Sequence, residues 1–292
     1  MAGINTNRTN ITLPTDVSGE IPQKTQEQSA VMTLAKQIAL PGRGVTIPVI
    51  TGDPEAAWVD ETDAKPVSNP SLSTKIMQAY KLAVIVPFSD EFAKDLKALY
   101  DALVARLPLA LAQKFDATVF HGTAPGSNFD TFAAVTAQSI SGTGNSFYKA
   151  LVAADTDIST HGGILNGFAM SPQAKGETLA AVDGNERPLF VNSVAEGAVP
   201  RLIGAPVAYT KGAYKDGTSS VPDVIGFAGD WTQALYGTVE GVKIDMSNQA
   251  TLTISNSQVN LWERNMFAVR AEIEVGFRAD TAAFNKITRA HA

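Results

Sequence analysis

The sequence predicts an α+β fold, and three observations lead to it. Period-two alternation from Ile76 to Phe88 indicates a long strand, because alternate residues of a strand face the same side. Apolar residues at three- and four-residue steps from Phe92 to Val119 indicate a long helix. From about residue 129 to 226, short helical and strand-like segments alternate between glycines, which predicts a compact α/β region.

Composition excludes several classes of protein. With 292 residues and 45% hydrophobic content, the chain can bury a substantial core. It has no cysteine, which excludes disulfides, thiolate metal sites and cysteine nucleophiles. The formal charge of −6 comes from dispersed residues, so tight sequence-specific binding of nucleic acid is not expected. The first thirty residues lack the basic start and apolar core typical of a signal peptide, and no apolar run approaches the roughly 20 residues that span a bilayer.

The first 88 residues predict an arm, a short helix and a long loop. Residues 1–26 are too polar to form a core, and residues 27–38 follow a helical pattern that ends at Pro41-Gly42. Two strand arms within residues 45–88 are joined by a polar, proline-bearing tip. If continuous, the return arm is on the order of 40 Å long. A ribbon of this length needs another surface to lie on, and we expect a neighbouring copy of the chain to provide it.

The long helix has clear signals at both ends. Ser89 is the predicted N-cap, Asp90 and Glu91 suit the first turn, and Gly122 follows the last apolar position. Pro108 is predicted to kink or divide the helix near residues 104–107.

Shorter elements are predicted over the rest of the chain. Ser171-Pro172 is typical of a helix start, as N-cap and first-turn proline. Other segments read as a helix at 146–154, a turn at 183–185, and strands at 168–170, 202–210, 239–246, 251–255 and 267–277.

Several short motifs follow one another along the chain. They are Lys65-Pro66 at the loop tip, Val86 through Glu91, Asp116 to Gly122, Gly167 through Pro172, Gly184 through Leu189, Leu202 through Val207, and Glu263 through Phe284. In this order they resemble the major capsid proteins of tailed bacteriophages, of the Hong Kong 97 type. The resemblance covers nearly the whole chain.

The resemblance implies a wedge-shaped subunit with an extended β-hairpin loop and a long spine helix. The implied segments are an N-terminal arm with a short helix (1–44), the extended loop (45–88), a peripheral domain with the spine helix (89–128), an axial domain (129–226), and return strands that complete the peripheral domain (227–292). The implied function is non-enzymatic self-assembly into hexamers and pentamers, which form an icosahedral head around double-stranded DNA.

The expected partners follow from the same resemblance. They are other copies of the chain, a portal, a decoration protein in some heads, and packaged DNA bound without sequence specificity. Because the arm begins almost at Met1, we expect a separate scaffold protein or assembly without one. The expected location is the virion, after assembly in the host cytoplasm, with no membrane partner.

One chemical site is implied by the resemblance. Some members of the family join neighbouring subunits by a lysine-to-asparagine isopeptide bond that a glutamate promotes, and Lys65, Asn265 and Glu272 fall where those roles would lie. The alternative is that these are ordinary loop and strand residues, and Ile273-Glu274 after the glutamate departs from the family pattern. We prefer the ordinary interpretation and assign no catalytic residue.

Other chemistry has weaker support. A serine hydrolase would need Ser89 or Ser171 beside one of the three histidines, His121, His161 and His291, which we interpret as surface residues. The acidic residues 60, 61 and 63 lack the spacing of a calcium loop, so no metal or cofactor is expected. Trp58, Trp231 and Trp262 are expected to pack in the core or at subunit contacts.

Two other functions remain open. An encapsulin-type nanocompartment shell, which encloses enzyme cargo, resembles the same fold. A surface adhesin would also be cysteine-free and strand-rich, but it should carry an export signal.

Overall fold

The computed structural model describes residues 29–42, 44–52, 58–59, 67, 71–91, 97–140, 146–183, 185, 187, 189–190, 201–254 and 256–291. The predicted arm and the Lys65-Pro66 pair lie outside these residues. The α-helices are α1 (Ala30–Leu34), α2 (Lys97–His121), α3 (Ser146–Thr160) and α4 (Pro172–Ala180). The strands are β1 (Lys36–Ala39), β2 (Val45–Gly52), β3 (Ser71–Met77), β4 (Tyr80–Ser89), β5 (Thr136–Ile140), β6 (Gly167–Met170), β7 (Arg201–Leu202), β8 (Ala205–Tyr209), β9 (Asp223–Gly229), β10 (Ala234–Thr238), β11 (Lys243–Ser247), β12 (Thr251–Ile254), β13 (Ser257–Asn260), β14 (Met266–Ala279) and β15 (Phe284–Arg289).

The first sheet is organised around β14. One side of β14 pairs antiparallel with β4, from Met266 opposite Ser89 to Val275 opposite Tyr80. The other side pairs with β11 and then β10, and β1 adds to β10 in parallel. Alternate residues of β4, from Tyr80 to Phe88, lie on the inner face of this sheet and pack against α2. The sheet and the long helix therefore share one hydrophobic core.

The second sheet has the strand order β5-β15-β9-β6-β8-β7. Helices α3 and α4 bury their apolar sides against it, as Leu151 and Ile158 of α3 show by packing with Phe168 and Ile225. Strand β15 belongs to this sheet although it follows β14 almost directly in the chain. The assignment of segments to peripheral and axial domains stays a prediction.

An aromatic cluster joins the two sheets. Phe132 is fully buried, and its ring lies 4.3 Å from that of Phe284 in the second sheet and 5.5 Å from that of Phe277 in the first. Trp231 packs edge-on against Phe132 at 5.9 Å. The described part of the chain is thus held together by a core that continues from one sheet to the other.

Two predictions near the loop were wrong. The helix predicted over residues 27–38 ends at Leu34, and residues 36–39 form β1, because their backbone groups pair with β10. The return arm is not one strand. It breaks at Gln78 and Ala79 into β3, which pairs with β2, and β4, which pairs with β14.

Other predicted strands were also interrupted. Residues 202–210 form two strands that reverse at Ile203 and Gly204, where both residues have positive φ. Residues 239–242 lie between β10 and β11. Within the described range, α2 runs unbroken through Pro108. Of the two outcomes predicted for this proline, a kink or a division, the division was wrong. The predicted helix start at Ser171 was confirmed, since its Oγ accepts a hydrogen bond from the Ala174 N–H.

Candidate assembly surfaces

The root of the β2–β3 hairpin is fixed to β14. Lys75 Nζ donates to the Ala279 carbonyl at 3.1 Å, and Arg278 Nε donates to the Ile76 carbonyl at 2.8 Å. Arg278 also pairs with Asp130 at 2.8 Å. Above this root, Ile76 is half exposed in the single chain. The hairpin therefore starts from a defined position and presents apolar surface to solvent.

The outer face of the first sheet carries a network of ion pairs across three strands. It contains three basic and three acidic side chains, so its formal charges balance: Lys81, Lys243, Arg270, Asp245, Glu272 and Glu274. Its shortest pair is Arg270 Nη2 with Asp245 Oδ2 at 2.7 Å. Exposed pairs of this kind each contribute about 1 kcal/mol or less to stability, so the network makes the face polar more than it stabilises the fold.

The structure separates two members of the candidate crosslinking set. Asn265 is exposed, in left-handed backbone conformation just before β14. Glu272 lies further along that strand, roughly 24 Å away at the usual rise per residue. Its carboxylate is 3.7 Å from Lys81 Nζ and 3.5 Å from Arg270 Nε. One subunit therefore does not bring Asn265 and Glu272 together, and Lys65 lies outside the described residues.

Several large apolar side chains are exposed in the single chain. Trp58 is fully exposed, and Val67 is 87% exposed. Tyr148 and Val152 lie on the solvent side of α3, and Trp262 is also largely exposed. By contrast, Trp231 is buried in the core, as predicted. Exposed apolar groups spread over the loop, α3 and the β13–β14 turn are candidates for contacts with other copies.

A buried carboxylate joins three segments at the corner between the sheets. Asp116 of α2 accepts hydrogen bonds from Ser29 Oγ at 2.6 Å and from the Ala30 N–H at 3.0 Å. It also accepts bonds from the Val31 N–H at 3.4 Å and from Thr210 Oγ1 at 3.1 Å. Burial raises the pKa of Asp116 to about 6, although these hydrogen bonds act in the opposite direction. This role was not predicted from the sequence, although a carboxylate beside Phe115 in an apolar helix pattern is a usable signal.

His121 lies one turn further along the same corner. Its Nε2 is 3.0 Å from the Ala213 carbonyl oxygen, in the 3-10 turn Lys211–Ala213 that follows Thr210. Burial lowers the pKa of His121 to about 4, so the ring is neutral at pH 7 and donates from Nε2. The histidine is half-buried, so the prediction of a surface residue was wrong here.

The other two histidines do not form a hydrolytic site. His161 Nδ1 is 2.9 Å from the Asp157 carbonyl oxygen in its own helix. His291 Nδ1 is 2.7 Å from Asp223 Oδ1. Ser171 Oγ is used as the cap of α4, and Ser89 is fully buried at the end of β4.

One cluster has side chains of the type that bind metals. Carboxylates of Asp216 and Asp223 and the His291 ring lie within 4.8 Å of one another. Arg289 already contacts Asp223 at 3.3 Å, and the Gly217 N–H donates to it at 2.9 Å. The hydrogen bond with His291 is the main reason that the pKa of Asp223 is lowered to about 2. The cluster is therefore a hydrogen-bonded network that ties Arg289 and His291 to Asp223 of β9.

A groove of about 390 Å³ lies between β4 and α2. Tyr80, Leu82, Phe115 and Phe129 supply apolar walls, while Lys81 and Lys114 contribute positive charge. It contains no acid–base pair among its lining residues, so it is a surface for packing more than for chemistry.

Comparisons with known proteins agree with this geometry. The model of the Phage capsid family matches residues 9–288. The protein named "Probable major capsid protein gp17" of Mycobacterium phage L5 is 31% identical over 281 residues, which cover 90% of this chain and 85% of the relative. The "Major capsid protein" of Staphylococcus phage 80alpha is 26% identical and covers 96% of this chain and 85% of the relative.

Solved structures show the same fold. A chain from Mycobacterium phage Bobi matches with a TM-score of 0.74 and 18% identity, covering 99% of this chain and 96% of its own length. A chain from Gordonia phage Cozz matches with a TM-score of 0.73 and 23% identity, covering 91% and 87%. The match of the family model over nearly the whole sequence, together with this shared fold, shows that the chain belongs to the phage capsid family.

Proposed function

We propose that the chain is the major capsid protein of a tailed phage and that it forms the shell of the virion. The observation that carries this proposal is the family match over residues 9–288. Relatives of comparable length carry the name of major capsid protein, which is a structural and non-enzymatic role.

The shape of the subunit supports assembly. A polar, charge-balanced sheet face, a hairpin fixed at its root and exposed apolar groups on separate elements offer several different surfaces to neighbours. In the described residues, no helix is both long and apolar enough to cross a membrane. The comparisons name phage and related capsids, so the encapsulin alternative is not favoured.

The finer parts of the proposal concern organisation and partners. Hexamers and pentamers would build an icosahedral shell around double-stranded DNA. A net charge of −6 suits a container that holds DNA without sequence-specific contacts. A portal, a separate scaffold and in some heads a decoration protein would complete the particle, after assembly in the host cytoplasm.

The proposal is tested on the purified full-length chain by mass photometry and negative-stain electron microscopy. We expect pentamers, hexamers or uniform shells. If scaffold is needed, these should form when the chain is expressed with the adjacent gene products of its phage. A chain that stays monomeric in both settings would contradict the shell function.

A substitution at Trp58 separates assembly from folding. Because its side chain is fully exposed in the single chain, Trp58→Ser should leave the thermal unfolding of the unassembled chain unchanged. If Trp58 packs against a neighbour, the same change should lower the yield of shells or capsomers. The contrasting variant is Trp231→Ala, which should lower the unfolding temperature of the single chain. Normal assembly of Trp58→Ser would show that this tryptophan is not a subunit contact.

A further inference from the structure

Ser29, Ala30, Val31 and Thr210 form a corner around Asp116, and in the described part of the chain this carboxylate has no basic partner. Its four hydrogen-bond donors are two hydroxyl groups and two backbone N–H groups, and all come from segments distant in sequence. Ser29 and Thr210 are themselves buried, so water does not compete for these bonds. An ionised carboxylate in such a place loses its hydration without gaining a counter-charge.

The same corner also accommodates the protonated acid. Ser29 and Thr210 each contribute a hydroxyl, which can donate or accept a hydrogen bond. When the carboxyl carries a proton, one of these hydroxyls can accept that proton while the other partners keep donating. Both charge states therefore fit the closed corner, but only the ionised state gains strongly from contact with water.

We propose that Asp116 is a proton-controlled clasp that holds residues 29–35 on the spine helix α2 and releases them more readily when its carboxyl is ionised. Ser29 is the N-cap of α1, and its Oγ also accepts from the Met32 N–H at 3.1 Å. Release of Ser29 from Asp116 would therefore open the short helix with it. Residues 29–35 directly follow residues 1–28, so the clasp controls how firmly the chain is held to α2 at this junction.

The other titratable groups near the corner are exposed lysines and His121. Residues 29–35 contain none. The turn that follows Thr210 contributes Lys211, which is exposed, and α2 contributes the exposed Lys114. His121 bonds to the Ala213 carbonyl, and Lys215 lowers the pKa of that histidine. Opening of residues 29–35 alone leaves the bond between His121 and Ala213 in place.

The sign of the pH dependence follows from the pKa of Asp116. The group has a pKa of about 6 in the closed corner and 3.8 as the ordinary value. The closed state therefore binds the proton more tightly than the open state does. Protonation of Asp116 stabilises the closed state fully below pH 3.8, and this stabilisation is lost as the pH rises through 6. The pH dependence of stability that His121 contributes has the opposite sign, because the pKa of this histidine is lowered to about 4. Unfolding of the whole molecule releases both groups, whereas local opening releases Asp116 only.

The test is hydrogen exchange of the unassembled full-length chain at pH 5 and pH 7, corrected for intrinsic amide exchange. Peptides covering residues 31–35 report on the clasp, and peptides from the buried strand β9 report on global unfolding. We expect the opening equilibrium of the clasp to be about tenfold larger at pH 7 than at pH 5, as the two pKa values require. Peptides from β9 should not show this increase.

The control is Asp116→Asn, which keeps the shape of the side chain and is neutral at both pH values. Its opening equilibrium should be the same at pH 5 and pH 7. Equal pH ratios in the wild type and in Asp116→Asn would overturn the proposal. If that variant does not fold, Thr210→Val replaces it, because loss of a bond that lowers the pKa should raise the pH midpoint and enlarge the ratio. An unchanged or smaller ratio in Thr210→Val would also overturn the proposal.

Discussion

Phe132 lies where the two sheets meet, in a stretch between α2 and β5 that has no regular secondary structure. Its ring contacts aromatic residues from both sheets, and Phe227 of β9 lies 6.1 Å from it. Because the ring is fully buried, its removal would leave a cavity at the junction.

We therefore expect Phe132→Ala to lower the free energy of unfolding by about 3–5 kcal/mol. The measurement is urea denaturation of the unassembled chain. Tyr148→Ala serves as the control, since it removes an aromatic ring from an exposed position on α3 and should change stability by about 0.5 kcal/mol or less. Similar losses in both variants would contradict the role of Phe132 as the junction residue.

Residue roles that depend on distant partners could not be predicted from the sequence. Asp116 is 87 residues from Ser29 and 94 from Thr210 in the chain. The sequence shows an acid in an apolar helix pattern, but the donors that surround it are known only from the fold. Local roles were predicted correctly where the partner is three residues away, as at the Ser171 cap.

At the scale of elements, only Gln78 and Ala79 separate β3 of the hairpin from β4 of the first sheet. Gly276 of β14 packs against this junction. A Cβ at that position would lie 2.6 Å from the Gln78 carbonyl oxygen and 3.0 Å from Met77 Cγ. Gly44 has positive φ, and a Cβ there would lie 2.5 Å from the Met77 carbonyl oxygen. The junction between β3 and β4 needs both glycines, because the backbone atoms that a Cβ would meet cannot move aside as a flexible side chain can.

Gly276→Ala should therefore destabilise the unassembled chain by about 1–3 kcal/mol, as other overpacked sites do. Thermal or urea unfolding measures this change. Gly176→Ala is the matched control, because no atom lies within 4 Å of the added methyl group, and alanine favours helix α4 by about 1 kcal/mol. A neutral Gly276→Ala would show that the junction between β3 and β4 can shift at little cost.

The errors in the short segments near the loop have one physical cause. Patterns of apolar residues identified long elements such as α2 and β14, where many residues repeat one period. Residues 36–39 carry too few positions for a period to be decisive, and their structure depends on pairing with β10. The break at residues 78–79 lies where the chain passes from β3, which pairs with β2, to β4, which pairs with β14. Tertiary hydrogen bonds therefore overrode the local pattern in short segments.

At the scale of the whole molecule, the candidate crosslinking residues can be brought together only between subunits. Glu272 already lies near two cations of its own subunit, Lys81 and Arg270. Its carboxylate therefore already has charged partners before a lysine of another subunit could reach it. We therefore keep the prediction that the chain has no catalytic residue.

Boiled particles should accordingly run as single chains on a denaturing gel. Lys65→Arg should give the same pattern as the wild type. Bands of several subunits that disappear in Lys65→Arg or Asn265→Asp would instead establish the isopeptide bond.

The fixed root of the hairpin also determines how a shell subunit of this kind can change its reach. Contacts at Gly44, Gln78, Gly276 and Arg278 set the direction of the hairpin before its strands extend outward. Insertion of two residues into each of β2 and β3 would move the distal end by about 7 Å and keep every side chain on its face. Insertion of one residue in each strand would exchange the two faces. The length of the hairpin can thus be engineered in two-residue steps, with the hydrophobic core left unchanged.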